Sequence, residues 1–149
     1  LSWIAYQYRE KRACQGRYAT LACLKKNFEK VYDADHDNFW KIVNSAQEHT
    51  TSCQPIQQTA DYLALAKIRT GIAEFTEGFD EAVEEFFLKD SQCFLEAYLL
   101  LDKPAQQALT QYVATRSITE SQEAIQQEAA KYKDDPRFKD IVQAIINSN

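Results

Sequence analysis

Apolar residues between positions 59 and 90 recur at steps of three and four, which is the spacing of one face of an α-helix. The first run is interrupted at Gly78, and the pattern then resumes. Two helices with facing apolar stripes and a tight joint form a hairpin, and a hairpin can nucleate an all-helical domain. The sequence therefore predicts a central hairpin with the stripes Tyr62, Leu65, Ile68, Ile72, Phe75 and Phe79, and then Ala82, Val83, Phe86 and Phe87.

Glycine and proline are scarce, with three of each among 149 residues. A many-stranded sheet needs more turn residues than that, and a flexible linker would add a glycine- or serine-rich run that does not occur. A chain of this length can bury a sizeable core without a metal or cofactor. We therefore expect an all-α bundle of seven or eight helices packed as antiparallel hairpins, in one domain from residue 1 to residue 149.

Capping residues mark the other predicted helices. A first helix is expected from about Trp3 to Tyr32, with an apolar seam at Leu21, Leu24, Phe28 and Val31. Asp37 is expected to cap the second helix, which ends near His49, and Pro55 to open the third. Residues 91–101 are the most apolar segment, so Leu99 is placed in the core. Later starts are predicted at Asp102-Lys103-Pro104, at Thr119 with Gln122, and at Asp135-Pro136, where the last helix has the apolar face Phe138, Ile141, Val142, Ile145 and Ile146.

The first residues suggest a chain that begins after a processed segment. The sequence contains no methionine and opens at Leu1, so we expect a signal peptide or a membrane anchor upstream. Tyr6 and Tyr8 precede Arg9 and Arg12, as interfacial aromatics precede cations at a membrane surface. An ordinary amphipathic helix with a basic face explains the same residues equally well.

Charge is distributed unevenly around a net value of −5. Residues 1–32 carry +5 and residues 33–149 carry −10. An acidic chain repels phosphates, so no nucleic-acid partner is expected. The basic first helix could approach a membrane, or it could pair with the acidic hairpin inside the same fold, which is the interpretation we favour. The acids of that hairpin are Glu74, Glu77, Asp80, Glu81, Glu84 and Glu85.

Four cysteines, an even number, predict two disulfides if the chain is exported. On an unbroken helix Cys14 and Cys23 would be about 13.5 Å apart along the axis, beyond the reach of about 7 Å between Cα atoms that a disulfide allows. They are therefore expected not to pair with each other, which leaves Cys14–Cys53 with Cys23–Cys93, or Cys14–Cys93 with Cys23–Cys53. Free buried cysteines in a cytoplasmic protein are the alternative.

The segment from Gly78 to Phe86 resembles the second helix of a tetratricopeptide repeat. Phe79, Ala82 and Phe86 stand where that family has an aromatic, a small residue and a second aromatic, and residues 135–138 are similar to the capping end of such arrays. The resemblance covers about a quarter of the chain. It implies a packed helical hairpin and the family's usual role, which is to hold a peptide or a partner protein in a concave groove.

Residues suited to metal binding or catalysis are few. His49 and Cys53, together with the nearby Asp35, His36 and Asp37, could supply zinc ligands. A structural zinc site is usually built from two close pairs, however, and neither a Cys-x-x-Cys nor a His-x-x-x-His motif occurs. Cys53 also lacks the glycine-rich surroundings of an exposed nucleophile. No catalytic, cofactor-binding or metal-binding residue is therefore predicted, and the chain is expected not to be an enzyme.

These features favour a non-enzymatic interaction protein of the inhibitor, immunity or secretion-adaptor type. We expect it to be periplasmic, secreted or membrane-anchored outside the cytoplasm, with another protein, basic in charge, as its partner. The partner is expected on the acidic hairpin or on the Tyr- and Arg-bearing first helix. The alternative is a helical enzyme or small-ligand carrier with an internal pocket. The residues predicted for partner binding are Glu77, Glu81, Glu84, Tyr8 and Arg12.

Overall fold

The structure is a computed structural model that describes residues 13–50, 52–115 and 119–148, with side chains from residue 122 onward in the last range. These residues form nine α-helices and three 3₁₀ helices, and no β-strand occurs among them. The predicted all-α class is confirmed. The chain divides into two compact units, Leu1–His49 and Thr50–Asn149. The single domain stays a prediction.

The described part of the first unit consists of a 3₁₀ turn and three α-helices. The turn is Gly16–Tyr18, and the helices are α1 (Leu21–Lys26), α2 (Phe28–Ala34) and α3 (His36–Thr50), the last of which reaches the start of the second unit. Phe28 and Phe39 pack edge to face with ring centroids 5.0 Å apart. The core of this unit also contains Leu24, Val31, Ile42 and Val43.

The predicted long first helix is wrong over residues 13–20. Cys14 and Gly16 have φ angles of +62° and +57°, in the left-handed region that cannot continue an α-helix. Helix α1 starts only at Leu21, where the Thr20 hydroxyl caps it by accepting a hydrogen bond from the Cys23 amide. The next cap also differs from the prediction, because Asp35 rather than Asp37 accepts from the Asn38 amide at the start of α3. The separate short helices explain why the helix count exceeds seven or eight.

The turn before α1 also overturns the predicted disulfide pairing. Two disulfides form, as predicted, but they join Cys14 to Cys23 and Cys53 to Cys93. Because residues 15–20 turn instead of running as a helix, the Cα atoms of Cys14 and Cys23 lie 5.6 Å apart. The Asn38 amide group holds the turn by donating to the Cys14 carbonyl at 2.7 Å.

The second unit contains six α-helices. They are α4 (Ile56–Leu63), α5 (Ala73–Lys89), α6 (Ser91–Tyr98), α7 (Lys103–Ala114), α8 (Thr119–Ala130) and α9 (Lys139–Ile146), with 3₁₀ helices at Ala64–Lys67 and Pro136–Phe138. Helix α5 contacts α6, α7 and α8. The predicted caps Asp102 and Asp135 are in place, since each accepts a backbone hydrogen bond at the start of its helix.

The predicted break at Gly78 is wrong, because α5 runs through it without interruption. A glycine inside a helix costs only about 1 kcal/mol, and buried Phe75, Phe79 and Val83 anchor the helix on both sides of it. The chain breaks earlier instead, at residues 68–72. There the Thr70 hydroxyl accepts from the Ile72 amide at 3.1 Å, immediately before α5 begins.

The burial of the second unit confirms most of the predicted core. In the 91–101 segment Phe94, Leu95 and Ala97 are fully buried, but Leu99 is 36% exposed and Leu100 is 50% exposed. The placement of Leu99 in the core is therefore wrong, because α6 ends at Tyr98 and the next residues turn outward. The last helix docks as expected on α7 and α8. Phe138, Ile141, Val142 and Ile145 are buried there, while Ile146 is exposed.

Candidate functional site

The outer side of α5 carries an exposed acidic stripe. Glu77, Glu81 and Glu85 follow one another at intervals of four residues, so they lie on one face of the helix. All three are exposed, and none forms an ion pair with a residue that the structure describes. Like charges four residues apart on a helix repel each other. We call Glu77, Glu81 and Glu85 the acidic stripe.

Glu84 does not belong to this stripe. The sequence predicts it as exposed, but it is only 6% exposed in the structure. Helix α5 is covered by α6, α7 and α8, so its buried surface is wider than the single apolar stripe implies. Residues 82, 83, 84, 86 and 87 are all buried as a result. Glu84 is therefore removed from the partner-binding residues.

Two other residues predicted to bind the partner, Tyr8 and Arg12, lie outside the described residues. A pair of the same residue types, Arg17 and Tyr18, lies in the 3₁₀ turn Gly16–Tyr18. The Arg17 guanidinium donates to the Tyr18 hydroxyl at 2.7 Å and lies 4.8 Å from the centre of its ring. Tyr18 is 58% exposed, so this pair is accessible.

A pocket of about 350 Å³ opens beside the acidic stripe. Its walls come from the 3₁₀ helix Ala64–Lys67, from α5, and from the end of α7. No histidine or cysteine is among its lining residues. The lining residues are two alanines and five polar residues, namely Ala66, Ala108, Thr76, Asp80, Gln111, Tyr112 and Thr115.

The pKa of Tyr112 is raised in this pocket. Partial burial raises the pKa of its phenol, the nearby Asp80 carboxylate raises it further, and a hydrogen bond with Thr76 opposes the two effects. The phenol therefore stays neutral at neutral pH. Its ring meets Phe79 edge on, with centroids 5.1 Å apart, which fixes the tyrosine against α5.

The zinc site and the Cys53 nucleophile considered from the sequence are not formed in the described part of the chain. The Cys53 sulfur is bonded to Cys93 and is neither a free thiolate nor a ligand. The His36 Nε2 atom accepts a hydrogen bond from the Trp40 indole at 3.2 Å. Within the described part of the chain, no group of three histidine, cysteine or acidic side chains could hold a metal ion.

A polar cluster that the sequence did not reveal joins the start of α6 to the end of α8. The buried Ser91 hydroxyl donates to Glu128 at 2.7 Å and lies 2.6 Å from the Tyr132 hydroxyl. Hydrogen bonds from Lys131 and then Ser91 lower the pKa of Glu128. A carboxylate stabilised in this way is a poor general base. We therefore interpret the cluster as a structural link between α6 and α8. Only the i, i+3 spacing of Glu128 and Lys131 was visible in the sequence.

None of the helices that the structure describes combines the length and the apolar character needed to cross a bilayer. Comparison with protein-family models, with curated proteins and with solved structures finds no match for this chain.

Proposed function

We propose that this protein is a non-enzymatic interaction module that works outside the cytoplasm and binds a basic protein through the acidic stripe of α5. The observation that carries the proposal is the stripe itself. Three carboxylates repel one another along one face and have no ion-pair partner among the described residues. This repulsion lowers the stability of the helix. Its presence is explained if the stripe binds a positively charged surface.

Two disulfides support the proposed location, because disulfides persist in oxidising compartments and are rare in the cytosol. The periplasm, the extracellular space and a membrane-anchored position outside the cytoplasm all meet this condition. Antiparallel pairing of consecutive helices, as in the hairpins of tetratricopeptide repeats, is the finer architecture that we propose for the second unit. The family's role of holding a partner protein agrees with the proposal.

The test compares two triple variants that change net charge equally. E77Q/E81Q/E85Q neutralises the stripe, and E123Q/D134N/D140N neutralises three exposed acids on α8, α9 and the loop between them. Each immobilised protein is exposed to the extracytoplasmic fraction of the native host, and the retained proteins are quantified at low and high salt. We expect at least one basic protein to be retained by the wild type and by the second variant, lost by the first, and released as salt rises.

Thermal melts of the same preparations separate binding from folding. Removing the 77–81 and 81–85 repulsions should raise the melting temperature slightly, because each relieved repulsion is worth about 0.2 to 0.5 kcal/mol of helix stability. Equal retention of every basic protein by the two triple variants would refute the stripe as a binding surface. A clear fall in the melting temperature of E77Q/E81Q/E85Q would instead assign these acids to internal pairing.

A second candidate function follows from the pocket. A cavity of about 350 Å³ is within the size range of small-ligand sites, so a ligand carrier is the alternative role. Its position beside the acidic stripe favours a connected role in partner binding.

A further inference from the structure

The pocket and the acidic stripe are neighbours on α5. Thr76 and Asp80 line the pocket, and each is followed in the chain by a member of the stripe, Glu77 and Glu81. Consecutive residues on a helix are separated by about 100° of rotation, so the stripe borders the rim of the pocket. A chain lying along the stripe would therefore pass the pocket opening.

Two threonine hydroxyls and one carboxylate of the pocket can accept hydrogen bonds, beside the Gln111 amide and the Tyr112 phenol, which can also donate. The Thr76 hydroxyl donates its hydrogen to the Ile72 carbonyl at 3.2 Å, and the Thr115 hydroxyl donates its hydrogen to the Gln111 carbonyl. Each hydroxyl has only one hydrogen, so its oxygen can otherwise only accept, and the Thr76 oxygen also shares a hydrogen bond with Tyr112. The Asp80 carboxylate adds further acceptor oxygens and is the only ionised side chain in the lining. A matching ligand is rich in donors and positively charged.

The remaining lining suits an alkyl stem. Ala66 and Ala108 are small and apolar, which leaves room and offers surface to methylene groups. The Tyr112 ring adds an aromatic face of the kind that attracts cations. An ammonium group carries three donors and no acceptor at the end of a flexible four-carbon chain when it belongs to lysine. A guanidinium is planar and favours a paired carboxylate, which matches separated acceptors less well.

We propose that the pocket beside the acidic stripe receives the ammonium end of a lysine side chain from the basic partner protein. This inference rests on the proposed function, because it names the group that anchors that partner. The stripe attracts the basic segment, and the pocket selects lysine within it. The positive group enters between Asp80 and the threonine oxygens, while its methylenes lie against the two alanines.

The first test uses n-butylammonium as a probe and needs no partner protein. Backbone amide signals in a ¹⁵N-labelled sample are followed during titration, with the neutral N-butylacetamide as the matched control ligand. We expect saturable shifts at residues 76–80 and 108–115 with the amine and none with the amide. Ala108→Leu should fill the pocket and weaken binding by about tenfold or more, as an added side chain excludes a ligand from a site of this size.

Matched variants keep this test decisive. Gln107→Leu adds the same side chain at an exposed position of α7 and should bind the amine as the wild type does. Asp80→Asn should weaken binding where Asp134→Asn, an exposed acid elsewhere, should not. Absence of saturable shifts, or equal affinity in Ala108→Leu and Gln107→Leu, would overturn the proposal. Tighter binding of n-propylguanidinium than of n-butylammonium would overturn the assignment to lysine.

A second arm separates this proposal from the function on which it rests. A peptide of alternating lysine and glycine is titrated into the wild type, Ala108→Leu and E77Q/E81Q/E85Q, and a peptide with acetylated lysines is the control. If both proposals hold, peptide binding is weaker in both variants. Loss of affinity in the triple variant alone would refute the pocket and keep the stripe, whereas loss in Ala108→Leu alone would refute the stripe and keep the pocket.

Discussion

Phe86 and Leu99 are both apolar and both predicted in the core, but they differ in burial. Phe86 is 5% exposed and packs against Phe94, whereas Leu99 is 36% exposed in the turn after α6. Phe86→Ala should cost about 3 to 5 kcal/mol of unfolding free energy through lost burial and a cavity. Leu99→Ala should cost about 1 kcal/mol or less. Urea unfolding of both variants measures the difference, and similar costs would show that the turn packs more tightly than described.

The burial of Tyr62 predicts that the folded protein loses stability at alkaline pH. Its side chain is fully buried, and desolvation raises the pKa of its phenol above the ordinary value of 10.0. Above about pH 10 the unfolded chain releases this proton while the folded chain retains it, so the free energy of unfolding falls as pH rises. Tyr62→Phe removes the titrating group and should make the urea midpoint less sensitive to pH above about pH 10.

The control for this prediction is Tyr18→Phe. Tyr18 is 58% exposed, so this variant should keep the pH sensitivity of the wild type. Tyr98 is buried and Tyr112 is partly buried, and the pKa values of both are also raised, mainly by desolvation, so some sensitivity should persist in Tyr62→Phe. Identical midpoint shifts in the wild type, Tyr62→Phe and Tyr18→Phe would refute the contribution of Tyr62.

Among the helices, α5 connects most of the second unit and also bears the acidic stripe. Gly78 lies in its middle, and a Cβ atom at that position would meet nothing within 4 Å. Gly78→Ala should therefore stabilise the protein by about 0.5 to 1 kcal/mol, because alanine loses less backbone entropy in a helix. The melting temperature should rise, while binding through Glu77 and Glu81 should be unaffected.

Gly16→Ala is the opposite case and tests the same reasoning at a turn. Open space surrounds this glycine too, but its φ is +57°, where a Cβ atom is strained. The substitution should destabilise the first unit by about 1 kcal/mol or more. Stabilisation by both alanines would indicate that residues 13–20 are helical in solution, as the sequence had suggested.

For the chain as a whole, the two disulfides should differ in what they contribute. They close loops with sequence separations of 9 and 40 residues. Under the chain-entropy model the shorter loop contributes about 2.5 kcal/mol and the longer about 4 kcal/mol. Replacing Cys53 and Cys93 with serine should therefore lower the urea midpoint of the second unit strongly, and replacing Cys14 and Cys23 should act mainly on the first unit.

Proteolytic mapping without reduction is the direct measurement of connectivity. It should yield one peptide pair containing Cys14 with Cys23 and another containing Cys53 with Cys93. Any pair that joins the first two cysteines to the last two would restore the pairings that the unbroken helix had implied. Four freely labelled thiols in the unfolded, unreduced protein would remove the support for an oxidising compartment.

Several features of this protein follow from the sequence alone because they depend on residues within one or two turns of each other. Helical spacing predicted the all-α class, Asp102 and Asp135 predicted two helix starts, and the apolar face ending in Ile145 predicted a docked last helix. The exposure of Glu77 and Glu81 was also predictable, since the apolar stripe lies on the other side of α5.

Other features depend on residues that only the tertiary structure brings together. Glu84 is buried because three helices surround α5, and periodicity reports one apolar face without counting the neighbours that will cover the rest. The pocket combines Ala66, Asp80 and Tyr112 from three separate elements, so no local pattern marks it. Cys14 pairs with Cys23 because the chain reverses at Gly16. The hydrogen bond from the Asn38 amide group to the Cys14 carbonyl holds that reversal, and it joins residues that are 24 positions apart in the sequence.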